Sequence, residues 1–201
     1  AHPSRARVRV VRNEVNLGVG GATVRGFQEA LALGAEIVAK IDADGQMDPA
    51  LLPRFVAPIL QGKADYVKGN RFVSVESVRQ MPLTRLFGNS VLSLMCKAST
   101  GYWHLFDPTN GYICCHAAVL RRLPLEKIAR RFFFESDLLF RLGLARALVI
   151  DVPIAAVYGD EVSTLRIGRV ILPFLKGHLV NFCKRLVYRY FLLDFNIASV
   201  E

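Results

Sequence analysis

Ile37-Val38-Ala39-Lys40-Ile41-Asp42-Ala43-Asp44-Gly45-Gln46 opens on an apolar run and closes on two carboxylates one residue apart. The run is short and mostly apolar, as strands of a buried parallel sheet are. Asp and Gly then end it, as turn residues do. Asp48-Pro49 follows with the form of a helix start, Asp48 as N-cap and Pro49 at the first helical position. Leu51, Leu52, Phe55 and Ile59 supply the core face of that helix. The stretch predicts strand, acidic turn and helix in succession.

The same alternation extends in both directions. Arg7 to Val11 alternates and predicts a strand. Asn16-Leu17-Gly18-Val19-Gly20-Gly21 predicts a tight glycine turn into a helix over Ala22 to Leu33, stopped by Gly34. It lacks the Gly-Lys-Ser/Thr ending of a phosphate-binding loop. Downstream, Tyr66-Val67-Lys68 predicts a strand leading into Gly69-Asn70-Arg71-Phe72, and a helix is expected from about Pro82 to Lys97. Gly111 to Cys115 predicts a strand, Phe132 to Leu142 a helix, and Ala147 to Val152 a strand. This order argues for a layered α/β fold with a mostly parallel central sheet. Ligands then belong at the carboxyl ends of the strands, where Asp42 and Arg71 both fall.

Composition narrows the function classes. Of 201 residues, 52% are apolar, which suits one globular domain with a real core. Lys and Arg total 26 against 17 Asp and Glu, a net charge of +9 that fits an anionic partner. The basic residues are dispersed and no nucleic-acid-binding pattern occurs, so nucleic acid is not expected. Cys96, Cys114, Cys115 and Cys183 form no Cys-x-x-Cys pair and predict reduced core thiols in a cytosolic setting. Cys114 and Cys115 should face opposite sides of their strand. No signal peptide is visible, and no stretch reaches the ~18 apolar residues of a spanning helix.

The tail has another character. From Ile171 onward Lys176, His178, Lys184, Arg185 and Arg189 are interleaved with Phe174, Phe182, Tyr188, Tyr190, Phe191 and Phe195. Cations among aromatics suit a helix lying in a membrane interface. The other reading is a helix packed on the domain's own core. The expected organisation is a catalytic domain over 1–168 and an amphipathic membrane-proximal tail over 169–201.

Asp42 and Asp44 can face one hard cation, and Gln46 could add a carbonyl oxygen. Mg²⁺ or Mn²⁺ takes such oxygen ligands and shares its shell with substrate phosphates. A solvated Asp-Gly turn has the same composition. Asp107, Glu135 and Asp137 are the other acidic candidates, as general bases for a hydroxyl acceptor. Capping of the helix beside Phe132 to Phe134 is the structural alternative for Glu135 and Asp137.

Asp42-Ala43-Asp44-Gly45-Gln46-Met47-Asp48-Pro49 resembles the metal-binding motif of family 2 glycosyltransferases. It is most similar to the branch of dolichyl-phosphate mannose synthase and bacterial polyprenyl-phosphate sugar transferases. Asn16-Leu17-Gly18 with Ala22 and Gly26 resembles the helix start preceding that motif. Gly69-Asn70-Arg71-Phe72 resembles the branch's Gly-x-Arg segment, and Asp107 to Tyr112 its acceptor-side loop. Phe134-Glu135-Ser136-Asp137 and Glu161-Val162-Ser163-Thr164-Leu165-Arg166 resemble its later motifs. The family opens with strands bearing Ile-Pro-Ala-Tyr-Asn-Glu and Asp-Asp-Gly-Ser segments that bind nucleotide base and ribose. Neither is present, so the resemblance implies a catalytic domain that begins at the family's third strand.

The resemblance implies the GT-A fold, a Rossmann-like layered α/β domain, and metal-dependent, inverting transfer from a nucleotide-diphosphate sugar. The implied acceptor is a polyprenyl phosphate at the cytoplasmic face of a membrane. Asp42, Asp44 and Gln46 would hold the cation, and Asp107 with Arg71 would orient the acceptor. Arg71 and Arg166 are phosphate candidates because a planar guanidinium binds two oxygens at once. Asn110 and Ser163 lie in segments the family uses for substrate. Two alternatives stay open: a polysaccharide transferase using Glu135 or Asp137 as base on a sugar hydroxyl, and a non-catalytic binding module.

Overall fold

The computed structural model describes residues 8–72, 83–154 and 167–193. Its sheet has four strands: β1 (Ile37–Lys40), β2 (Tyr66–Asn70), β3 (Ile113–His116) and β4 (Val149–Pro153). The helices are α1 (Gly18–Ala32), α2 (Leu52–Leu60), α3 (Leu83–Thr100), α4 (Ala117–Arg122), α5 (Phe134–Leu144) and α6 (Ile167–Leu186). A 3₁₀ turn over Pro49–Leu51, capped by Asp48 accepting from the Ala50 N–H, leads into α2. A π-helical segment, Val187–Leu193, continues α6.

The strand order is β1-β3-β2-β4. The layered α/β expectation stands, but the sheet is mixed. β1, β2 and β4 share one direction and β3 opposes both of its neighbours, so among the described strands the β2–β4 pairing alone is parallel. The cause lies in the connection. Ile113, the first residue of β3, pairs with Lys40 and Lys68, near the carboxyl ends of β1 and β2. The segment 101–112 therefore enters at the sheet edge where the acidic turn sits, and β3 has to run away from it.

Cys115 and Cys114 point into different cores, as alternation requires. On one face Cys115 packs with Phe27, Val38, Tyr66, Leu138 and Leu142; on the other Cys114 packs with Phe55, Ile59, Val67 and Val152. Phe55 is fully buried and stacks on Tyr112 at 4.1 Å. All four thiols are free, Cys183 being exposed.

Two local expectations fail. Residues 8–11 form no strand, with Val8 and Val10 exposed, because alternation without a ladder partner satisfies no backbone group. The run from Gly18 to Gly21 is not a turn before the helix but its first turn. Gly21 donates its N–H to the Arg130 carbonyl at 3.0 Å. A methyl on Gly20 would collide with the Ala129 carbonyl and Phe134 Cβ. These glycines let α1 lie directly on the 129–131 backbone.

α6 packs against α3 and α5. His178 is 2% exposed there, with Nδ1 2.9 Å from Ser99 Oγ and its ring edge-on to Phe133. Its Nε2 is buried without a hydrogen-bond partner among the described residues. Burial pushes the His178 pKa down from 6.5 to about 4. The unfolded chain thus takes up the proton first. Stability should be full above about pH 6.5, decline as pH falls, and level off below about pH 4, a loss of roughly 3 kcal/mol. His178→Gln should flatten the dependence of Tm on pH across that window. An unchanged slope would place the titration elsewhere.

Candidate active site

β1 delivers Asp42 to the sheet edge and Lys40 turns toward the same point. Lys40 Nζ lies 2.7 Å from Asp42 Oδ1 and 2.8 Å from Oδ2, and donates to the Gly111 carbonyl at 3.2 Å. The turn itself is closed locally. Asp44 Oδ1 accepts from the Gln46 N–H at 3.0 Å, and Met47 Sδ accepts from the Asp42 N–H at 3.3 Å. Gly111 packs against this cluster. A methyl there would sit 2.6 Å from both Asp42 Oδ2 and Lys40 Nζ, so only glycine lets the 101–112 segment approach so closely.

Arg71, just past β2, forms a two-pronged pair with Asp107. Nε to Oδ2 and Nη2 to Oδ1 are each 2.7 Å. Asp107 Oδ2 also accepts the Arg71 N–H and the Asn110 amide, each at 3.1 Å. Asp107 is 1% exposed and holds a left-handed φ of 50°, a region Asp and Asn tolerate better than other side chains. Burial pushes its pKa up, but the hydrogen bonds and charge of Arg71, aided by Lys68 and Asn110, more than offset this and hold it below the usual value. Asn110 spends its other end on the Tyr112 N–H. Asp107 and Asn110, expected to meet substrate, are thus occupied within the loop, while a third of the Arg71 side chain is exposed.

Beneath the loop lies a polar group absent from the sequence expectations. Lys68 is 1% exposed and donates to the Phe106 carbonyl at 2.7 Å and to Asp151 Oδ1 at 3.2 Å. Asp151 Oδ2 accepts from Asn70 Nδ2 and from the Phe106 N–H, each at 2.9 Å. This network ties β2, β4 and the residue before Asp107 together. The signal for it was available. Lys40, Lys68 and Asp151 each stand alone in an apolar strand, and a buried charge requires partners.

Glu135 and Asp137 diverge. Two residues apart on α5, they lie about 200° around the helix from one another. Glu135 feels Lys40 and Asp42, and burial pushes its pKa up to about 8 against the lowering effect of its own backbone N–H and the Lys40 ammonium. Asp137 instead serves the fold. It is 5% exposed and accepts from the Ala129 N–H, Arg141 and Asn181. Ser163 and Arg166 lie outside the described residues.

The Asp42–Asp44 turn suits a Mg²⁺ or Mn²⁺ ion. Its donors are hard carboxylate oxygens, the Asp42 side chain is 38% exposed, and such ions take one or two carboxylates while keeping water and phosphate oxygens. Among the described residues no cluster of three or more His, Cys, Asp or Glu could hold a metal alone. An ion here would share Asp42 with the Lys40 ammonium.

The sequence pattern of glycosyl transferase family 2 matches residues 1–129. A UDP-N-acetylglucosamine–dolichyl-phosphate N-acetylglucosaminyltransferase of Methanococcus voltae is 32% identical over 168 residues, covering 84% of this chain and 66% of that protein. An undecaprenyl-phosphate mannosyltransferase of Micrococcus luteus is 31% identical, covering 75% of this chain and 61% of that one. The chain thus spans about three fifths to two thirds of these relatives' length. Glucosyl-3-phosphoglycerate synthase from Mycobacterium tuberculosis, solved with UDP, superposes with a TM-score of 0.59 at 21% identity, covering 90% of this chain and 58% of that one. The same enzyme solved with Mn²⁺, UDP-glucose and phosphoglyceric acid gives 0.57 at 20% identity, covering 90% and 57%. The fold is the GT-A fold.

Proposed function

This chain belongs to glycosyl transferase family 2, and from that premise we propose that it carries the acceptor side and metal turn of an enzyme moving a sugar from a nucleotide-diphosphate sugar to a polyprenyl phosphate. The observation that carries the proposal is the convergence of Asp42, Lys40, Gly111, Asp107 and Arg71 at one sheet edge. Relatives named for dolichyl-phosphate and undecaprenyl-phosphate support the acceptor class.

Asp42 and Asp44 would hold Mg²⁺ or Mn²⁺, which supplies positive charge to the leaving diphosphate. Asp107 fixes the Arg71 fork at the sheet edge, where a third of its side chain is exposed and a phosphate would meet it. The acceptor attacks the anomeric carbon from the face opposite the leaving group, with inversion. A phosphate monoester acceptor has a second pKa near ~6, so it is anionic at neutral pH and needs no base. The enzyme would work as a peripheral protein at the cytoplasmic membrane face. No helix among the described residues is long and apolar enough to cross a membrane.

Glu135 favours a second reading, a hydroxyl acceptor. Burial raises its pKa to about 8, and it feels the charges of Lys40 and Asp42 at the metal turn, a setting in which a carboxylate can serve as general base. Glu135→Gln in the full-length protein separates the two. Transfer to polyprenyl phosphate should change by no more than a few-fold. If polyprenyl phosphate is instead a poor acceptor for the parent, and transfer to a sugar hydroxyl falls ~100-fold or more in the variant, the range of general base catalysis, the hydroxyl reading holds.

A further inference from the structure

α6 carries three stripes. Phe174, His178, Asn181 and Arg185 face α3 and α5, where Arg185 donates to the Ala98 carbonyl at 2.8 Å. A second stripe, Leu172, Leu175, Leu179, Phe182 and Leu186, is exposed and wholly apolar, with Leu172 at 74% and Leu179 at 63%. The third borders a cavity of about 380 Å³ between residues 127–129, α5 and α6. Lys127, Arg141, Lys176 and Lys184 line it with Asp137 and the buried Asn181. Asp137 is matched by Arg141. None of the three lysines has an acidic partner among the described residues, so the cavity keeps three uncompensated positive charges.

An exposed apolar stripe alone has no defined occupant. Here it lies beside a cationic recess on the same helix, and Tyr188, Arg189, Tyr190 and Phe191 continue the mixture beyond it. An apolar stripe flanked by cations matches one environment: hydrocarbon beneath a layer of phosphates. The recess is also separate from the candidate active site, since Asp137 faces it while Glu135 lies on the other side of α5.

We propose that this cavity binds the phosphate of an anionic membrane phospholipid that is not the acceptor, and that it seats the chain on the bilayer with the apolar stripe of α6 inserted. The lipid phosphate bridges Lys127, on the body of the domain, to Lys176 and Lys184 on α6. The docked lipid thereby holds the angle at which the domain meets the membrane. This deepens the membrane-surface part of the proposed function and is independent of the transfer reaction.

The test is co-sedimentation of the 201-residue chain with vesicles of phosphatidylcholine alone or mixed with phosphatidylglycerol, with no donor or acceptor present. Binding should require the anionic lipid. Combined Lys127→Gln, Lys176→Gln and Lys184→Gln should weaken it at least ~10-fold, since each cation near an anionic surface contributes a several-fold factor. A charge-matched control, Arg54→Gln, Lys63→Gln and Arg121→Gln, all exposed, should lose much less. Equal loss in both would reduce the effect to net charge and overturn the site. Leu172→Ser with Leu179→Ser should also release the chain; retained binding would overturn insertion. If that pair instead turns a dimer into a monomer, the stripe covers a second copy and the proposal is wrong. Calorimetry with inorganic phosphate should detect little binding without vesicles. Lysine-dependent binding of free phosphate as tight as to vesicles would assign the cavity to a soluble anion. Because neither donor nor acceptor is used, failure here leaves the proposed transfer reaction untouched.

Discussion

Asp42→Asn should abolish metal-dependent nucleotide binding while leaving the fold in place. The substitution keeps the size of the side chain and an oxygen that can still accept from Lys40 Nζ, which also retains the Gly111 carbonyl. Thermal stability should move by no more than about 1 kcal/mol, the net worth of an ordinary hydrogen bond. The charge, however, is what a divalent ion requires. In the full-length protein transfer should fall by ~10³-fold, about 4 kcal/mol of transition-state stabilisation at 1.36 kcal/mol per decade. Calorimetry with Mn²⁺ and UDP, run beside thermal unfolding, separates the two effects. Equal metal-dependent affinity in the variant and its parent would remove Asp42 from the metal site.

The second large effect belongs to Asp107→Asn. Asparagine fits the shape and tolerates the φ of 50°, so the backbone need not change. It places an amide donor where one oxygen took Arg71 and leaves the guanidinium without its anion. Breaking a buried pair on one side costs ~3–5 kcal/mol; with a third of the Arg71 side chain in water, about 2–3 kcal/mol is expected. At ~2–4 °C per kcal/mol for a chain of this size, Tm should fall by roughly 5–10 °C. The pH dependence follows from the lowered pKa. The contribution is present above the ordinary carboxylate value of 3.8 and is lost as pH falls through the lower folded value. The variant should therefore lose the acid-dependent part of its stability below about pH 4. A variant as stable as the parent, with the same acid limb, would show that the pair does not hold the loop.

The same geometry changes what is expected of Arg71→Lys. As an exposed arginine serving only a phosphate, Arg71 could be changed to lysine with stability almost untouched. Paired to a buried carboxylate, Arg71 has a structural duty too. Lysine keeps the charge but only one prong of the fork, so a cost of ~1 kcal/mol is expected. Transfer should drop ~10-fold or more.

The network below the loop shows why part of the site could not be read locally. Lys68 and Asp151 are 83 residues apart, Arg71 and Asp107 are 36 apart, and Lys40 meets Gly111 across 71. Each lone charge in an apolar strand announced that a partner was needed. Nothing in its own neighbourhood identified the partner, because that depends on the strand order β1-β3-β2-β4.

By itself the sequence determined the alternation of strands and helices, the acidic turn after β1, the basic aromatic tail and the family. All of these rest on short-range patterns: periodicity, turn chemistry and contiguous motifs. Tertiary structure alone decided that β3 runs against its neighbours, that Gly111 abuts Asp42, and that Asp107 holds Arg71. It also parted Glu135, near the metal turn, from Asp137, which fastens α5 to α6. The physical reason is that a side chain's duty follows from what reaches it. A carboxylate met by four donors becomes an anchor, and one left beside an exposed turn stays open to chemistry.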